Sequence, residues 1–110
     1  MLSLKKRSEF LAVSKTGHKW ITPAFIIQKR ERTPEGPSRY GITASRKVGG
    51  AVERNRAKRR LRALIRANFL PVAQSGTDYV FIARSEVLKR DFSMMEKELK
   101  WGVKMVEKKG

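Results

Sequence analysis

Arg54, Asn55, Arg56, Lys58, Arg59, Arg60, Arg62 and Arg66 crowd into one short run in which Glu53 is the only acid. As chemistry this is a set of phosphate ligands. A guanidinium fork grips two phosphate oxygens at once, a geometry that an ammonium cannot copy. The reading that follows is recognition of a polyanion.

Groups that could break bonds are sparse. His18 is the only histidine, in a Gly17-His18-Lys19 turn with no serine or acid patterned around it, and it reads as a surface turn residue. The acids Glu9, Glu31, Glu35, Glu53, Asp78, Glu86, Asp91, Glu96, Glu98 and Glu107 are scattered. No pair of them has the spacing of a carboxylate metal site or an acid/base couple. There is no phosphate-cradling Walker loop and no Gly-x-Gly-x-x-Gly. Gly49-Gly50 admits a phosphate-holding nest of backbone N–H groups, and a plain turn equally well. With no cysteine, disulfides and thiolate metal sites are excluded. No catalytic and no metal-ligating residue is assigned, and an enzyme acting alone is not expected.

The basic run must be carried by a helix. Ala57, Leu61, Leu64 and Ile65, with Asn68 and Phe69 trailing, fall on one side at the helical period, and the cations fill the other side. Arg54 lies in line with the apolar stripe, so it escapes burial only if the first turn projects past whatever covers the stripe. Alone, such a helix is poorly designed. Like charges at i,i+3 and i,i+4 repel by roughly 0.2–0.5 kcal/mol a pair, and Arg54 and Arg56 oppose the dipole at the N-terminus. Local rules fail in this way where a partner supplies the missing charge.

The rest of the chain agrees. Its 110 residues make one domain with a modest core, and a net charge of +16 points to nucleic acid first and an anionic membrane second. No apolar run is long enough to span a bilayer, and Met1–Arg7 lacks a secretory h-region. A reducing, cytoplasmic setting fits.

The elements expected in order are these. Ser8 caps a short helix through about Thr16, stopped by Gly17, with Phe10 and Val13 inward, joined by Leu11 and Leu4. Phe10 serves either as core or as a ring that stacks a base. Trp20–Arg30 is strand, interrupted or started by Pro23. Residues 31–38 form a hairpin loop, and Arg39–Ser45 returns antiparallel. The basic helix stops near Leu70, before Pro71. Asp78–Arg84, apolar on both faces, is a central strand. A final helix is capped by Ser93 with Glu96, buries Met95, Leu99, Gly102, Val103 and Val106, is widened by Trp101 and Met105, and frays over the tail Glu107–Gly110. The fold class is α/β (α+β), a two-layer sandwich in the order α-β-β-β-α-β-α with helices on a small mixed sheet. Its strand–helix–strand unit defaults to a right-handed crossover.

Residues Ser45 to Arg62, centred on Arg54-Asn55-Arg56, resemble the motif of the bacterial ribonuclease P protein subunit. Leu4–Phe10 is similar to that family's opening and Asp78–Arg84 to its last strand. The resemblance implies a single ribonuclease P protein domain over 1–110, with a left-handed βαβ crossover in place of the default. It implies two partners, a catalytic RNA subunit and the 5′ leader of precursor tRNA, with neither DNA nor membrane. The leader would be hydrolysed off by metal ions, Mg²⁺ held mainly by the RNA. Carried over residue by residue, Arg54, Asn55, Arg56, Lys58, Arg59, Arg60, Arg62 and Arg66 face the catalytic RNA. Phe10, Ser14, Phe25, Gln28, Ser45, Arg46, Lys47 and Arg84 line the leader groove. Ser14 and Gln28 stand where the family usually or often has an aromatic, so polar contacts replace base stacks there. A ribosomal structural protein shares the composition but not the central motif. A membrane-binding peptide is disfavoured because the basic helix is far more charged than apolar and lacks tryptophan.

Overall fold

The structure, a computed structural model, describes residues 2–4, 6–15, 18–31, 36–68 and 76–109, with the backbone alone at 2 and 107–109. The elements are β1 (Leu2–Ser3), α1 (Arg7–Ser14), β2 (Lys19–Ile21), β3 (Phe25–Glu31), β4 (Arg39–Ala44), α2 (Ala51–Asn68), β5 (Thr77–Ala83), a 3₁₀ turn (Ser85–Leu88) and α3 (Phe92–Lys109). The expected order is present, with a two-residue N-terminal strand added. The sheet order is β1-β4-β5-β3-β2.

β5 sits at the centre because both its faces are apolar. Every residue from Thr77 to Phe81 is buried. It pairs parallel with β4 and antiparallel with β3, so Phe81 stands between Ile42 and Ile27. This overturns the hairpin expected between β3 and β4. The two strands do run in opposite directions, but β5 is inserted between them. A strand buried on both faces needs a neighbour at each edge, and that long-range demand outweighs the short connection. Of the loop expected over 31–38, Glu31 belongs to β3 and 32–35 lie outside the described residues, as do Thr16, Gly17 and the expected end of the basic helix beyond Asn68. The expected strand from Trp20 to Arg30 is interrupted around Pro23. There the Thr22 hydroxyl donates to the Phe25 carbonyl (2.7 Å) and accepts from the Phe25 amide (3.1 Å), closing a turn between β2 and β3.

Strand alternation sorts the side chains to two faces. Phe25, Ile27, Tyr79, Phe81 and Ala83 meet Ala57, Leu61, Leu64 and Ile65 of α2 and Met95, Leu99, Val103 and Val106 of α3 in the main core. On the other face Val80 packs with Leu4 and Val13, flanked by Phe10 and Ile82. Helices α2 and α3 thus form one layer on the sheet, and the shorter α1 lies against part of the opposite face.

Two caps differ from expectation. α1 starts at Arg7, with Lys6 as N-cap residue and Glu9 Oε1 accepting the Lys6 N–H at 2.9 Å; Ser8 is already inside the helix. α3 is capped by Asp91, not Ser93. Asp91 Oδ1 accepts from the backbone N–H groups of Ser93 (2.9 Å) and Met94 (3.3 Å) and from the Ser93 hydroxyl. Its backbone carbonyl takes the first helical bond, from Met95 N–H at 3.1 Å. A carboxylate at the positive end of a helix outcompetes a hydroxyl two residues on. α3 continues through Lys109, beyond the point where fraying is expected.

Candidate nucleic-acid interface

The basic helix is launched by a tight turn. Val48 N–H donates to the Ser45 carbonyl (3.1 Å) and Gly49 N–H to the Arg46 carbonyl (3.2 Å). Gly49 has φ +147°, and a Cβ there would lie 2.8 Å from Glu53 Cβ, so only glycine fits. Its amide is already given to Arg46, which removes it from any phosphate nest. The Gly50 carbonyl accepts from Arg54 N–H at 2.9 Å and begins α2.

α2 buries Ala57, Leu61, Leu64, Ile65 and Asn68. Asn68 satisfies its amide by donating to the Leu64 carbonyl at 3.0 Å. Arg56, Arg59, Arg66 and Asn55 are exposed, while Arg54, Lys58 and Arg62 are half-buried. Arg54, in line with the buried stripe, escapes full burial. Among the described residues none of Arg54, Arg56, Lys58, Arg59, Arg62 and Arg66 is in an ion pair. The acids that pair do so elsewhere. Glu9 and Asp78 hold Arg39, Glu98 holds Arg90, Glu86 holds Lys89 and Glu31 holds Lys29. Among the described residues, the acids thus leave these α2 cations uncompensated.

Arg60 is the exception. Its Nε donates to the Val87 carbonyl and its Nη2 to the Arg90 carbonyl, both at 2.7 Å. The guanidinium is committed to backbone carbonyls in and just after the 3₁₀ turn, which sets Arg60 apart from the other α2 cations.

On the α1 side of the sheet an open cleft of about 600 Å³ is lined by Ile21, Ile26, Ser45, Lys47, Val48, Ile82, Ala83, Arg84 and Ser85. Ser45, Lys47 and Arg84 are brought together at its rim, and exposed Arg46 lies between the first two in the same turn. Arg84 is steadied by donation from Nη1 to the Thr22 carbonyl (2.9 Å). Phe10 is half-buried and presses against Gly41 near a second, smaller cavity of about 160 Å³, which Arg62 of α2 also borders. Gln28 is half-buried on β3, on the same face as Val80. Ser14 is exposed at the end of α1, its hydroxyl donating to the Leu11 carbonyl at 3.1 Å.

Phe25 does not belong to this cleft. It is fully buried on the other face, tilted against Phe81 with ring centroids 6.4 Å apart. The register puts Phe25 opposite Ala83 and so on the α2 side, whereas Ile21, Ile26 and Ile82 form the apolar floor of the cleft. Sequence reasoning misses those three isoleucines. The parity of each strand relative to Phe81 finds them once the register is known. Among the described residues no cluster of acids and histidine has the makings of a metal site, and none of the described helices is long and apolar enough to cross a membrane.

Comparison with known proteins gives one consistent outcome. The family model described as Ribonuclease P matches residues 1–107. The ribonuclease P protein component of Paramagnetospirillum magneticum is 40% identical over 94% of this chain and 80% of its own length. That of Bartonella quintana is 41% identical over 92% and 80%. Among solved structures, the RNase P protein of Thermotoga maritima superposes with TM-score 0.78 at 31% identity, covering 96% of this chain and 97% of that one. The Staphylococcus aureus protein superposes with TM-score 0.77 at 25% identity, covering 96% and 94%. With its fold, its arginine-rich helix and nearly its whole length matched, the chain belongs to the ribonuclease P protein family.

Proposed function

We propose that this chain is the RNA-binding, non-catalytic subunit of a ribonucleoprotein endoribonuclease that matures tRNA 5′ ends in the cytoplasm. In this reading the outer face of α2 binds the catalytic RNA through Arg54, Asn55, Arg56, Lys58, Arg59, Arg62 and Arg66. The cleft floored by Ile21, Ile26 and Ile82 takes the 5′ leader of precursor tRNA, with Ser45, Arg46, Lys47 and Arg84 meeting its phosphates. Phe10, Ser14 and Gln28 border the leader's path. Mg²⁺ held mainly by the RNA supplies the hydrolytic chemistry, and the protein's side chains position and neutralise.

The observation that carries this reading is the turn from Ser45 to Gly49. It lines the cleft at one end and launches the unpaired arginines of α2 at the other. A leader held in the cleft and an RNA held on α2 are thereby kept in fixed register.

The test is reconstitution. The protein, added to a bacterial ribonuclease P RNA at low Mg²⁺, should stimulate 5′ processing of a precursor tRNA. Arg54→Glu combined with Arg56→Glu should weaken RNA binding while leaving circular dichroism unchanged. Each phosphate that is no longer neutralised should lower the log–log salt slope by about 0.7–0.9. Unchanged RNA affinity in the double variant would remove α2 from the interface. Cofractionation with ribosomal subunits without stimulation of cleavage would favour a structural protein of the ribosome instead.

A further inference from the structure

α3 carries a second cationic surface that the proposed function does not use. Trp101 is 58% exposed and Met94, two turns earlier on the same side, is 49% exposed. Lys97, Lys100 and Lys104 are all exposed and lie with Trp101 within about 100° of the helix circumference. Like charges at these spacings repel one another. Among the described residues none of the three lysines is in an ion pair. Glu96 precedes Lys100 by four residues without pairing to it, and Glu98 is held by Arg90 through two hydrogen bonds of 2.8 and 2.7 Å.

The surface belongs to a different helix from the α2 cations and lies across the sheet from the cleft. α3 approaches the sheet through Gly102, where an added Cβ would lie 2.8 Å from Ile27 Cδ1 and 3.0 Å from Trp20 Cδ1. Trp101 is turned about 100° from that contact. The isoleucine floor of the cleft lies on the opposite side of the sheet. Tryptophan is costly to leave in water unless a ring can cover it, and lysines on its flank mark the occupant as an anion with flat apolar groups. On this side of α3 the large exposed apolar side chains are Trp101 and Met94, too little to seat a helix in a bilayer. Unpaired RNA has both components, phosphates for Lys97, Lys100 and Lys104 and a base for the indole face.

We propose that the outer face of α3 is a binding site for single-stranded RNA, in which Trp101 stacks one base and Lys97, Lys100 and Lys104 neutralise the adjoining phosphates. The site is independent of the assignment of α2.

The experiment uses the full chain with Trp20→Phe, so that Trp101 is the sole tryptophan and is excited selectively, and a short oligouridylate as probe. Saturable quenching of Trp101 is expected, and it should persist when Arg54→Glu and Arg56→Glu are added, which separates this site from α2. In the otherwise natural chain, Trp101→Ala should raise Kd for the oligouridylate roughly five-fold or more. Lys97→Gln with Lys100→Gln and Lys104→Gln should lower the log–log salt slope by about 2. Binding of the oligouridylate with no change in Trp101 emission would overturn the proposal. So would emission that responds only to anionic phospholipid vesicles, or only to protein concentration, which would make the face a membrane contact or a self-association surface.

Discussion

Arg39 and Asp78 stand opposite each other on the adjacent parallel strands β4 and β5, with Arg39 Nε donating to one carboxylate oxygen at 2.8 Å and Nη2 to the other at 2.7 Å. Arg39 Nη1 also reaches Glu9 Oε2 of α1 at 2.6 Å. Asp78 is fully buried, and its hydrogen bonds, ahead of its charge and Glu9, hold the guanidinium pKa above the ordinary arginine value. One arginine thus ties the cleft-side helix to the two central parallel strands. Removal of one partner from a buried pair costs about 3–5 kcal/mol. Arg39 keeps Glu9 and some solvent, so Asp78→Asn should cost less, about 2–3 kcal/mol by the same comparison. Urea unfolding monitored by circular dichroism checks this, and Glu9→Gln should be the milder change.

Gly41 supplies the space in which Phe10 sits. A Cβ on Gly41 would fall 2.4 Å from two carbons of the Phe10 ring and 3.2 Å from Leu4 Cβ. Gly41→Ala should therefore dislodge Phe10 and cost about 1–3 kcal/mol, as overpacking does. The combination with Phe10→Leu should recover part of that cost, because the clash is with the ring's far edge. A double-mutant cycle in denaturant shows whether the two are coupled, and additive effects would separate them.

Arg59 and Arg60 are neighbours with different work. Arg60 donates to two backbone carbonyls, while Arg59 is exposed and unpaired among the described residues. Hydrogen bonds from a charged donor are worth about 1.5–3 kcal/mol. Arg60→Ala should therefore lower stability by roughly 2 kcal/mol, with Arg59→Ala near neutral. RNA affinity should respond in the opposite order. Thermal melts and filter binding on both variants decide it, and Arg60→Lys should not rescue, since an ammonium cannot reach both carbonyls in one plane.

Asp91 makes the cap of α3 sensitive to acid. The Ser93 hydroxyl first, then the Met94 and Ser93 amides, stabilise its carboxylate and hold its pKa below the ordinary aspartate value. A depressed folded-state pKa stabilises the protein above the unfolded value, and that contribution fades as pH falls through the folded one. Asp91→Asn should therefore lower Tm at neutral pH and make little difference in strong acid. Ser93→Ala should have the smaller effect at neutral pH, because the carboxylate keeps its two backbone donors. Melting curves across the acid range read both.

The basic helix, the central β5 and the buried stripe of α3 are legible in the residues. Each rests on local chemistry, either the period of apolar side chains or an excess of unpaired charge, and short-range pattern records both. What folding alone decided is which strands became neighbours and which way each side chain turned. The insertion of β5 between β3 and β4 set the register that sends Phe25 into the core and leaves Ile21, Ile26 and Ile82 on the cleft floor. In the same way Arg60 is indistinguishable from its neighbours until Val87 and Arg90, far along the chain, present it with carbonyls. Such outcomes depend on contacts between distant segments, because a strand has two equivalent faces until its partners choose one.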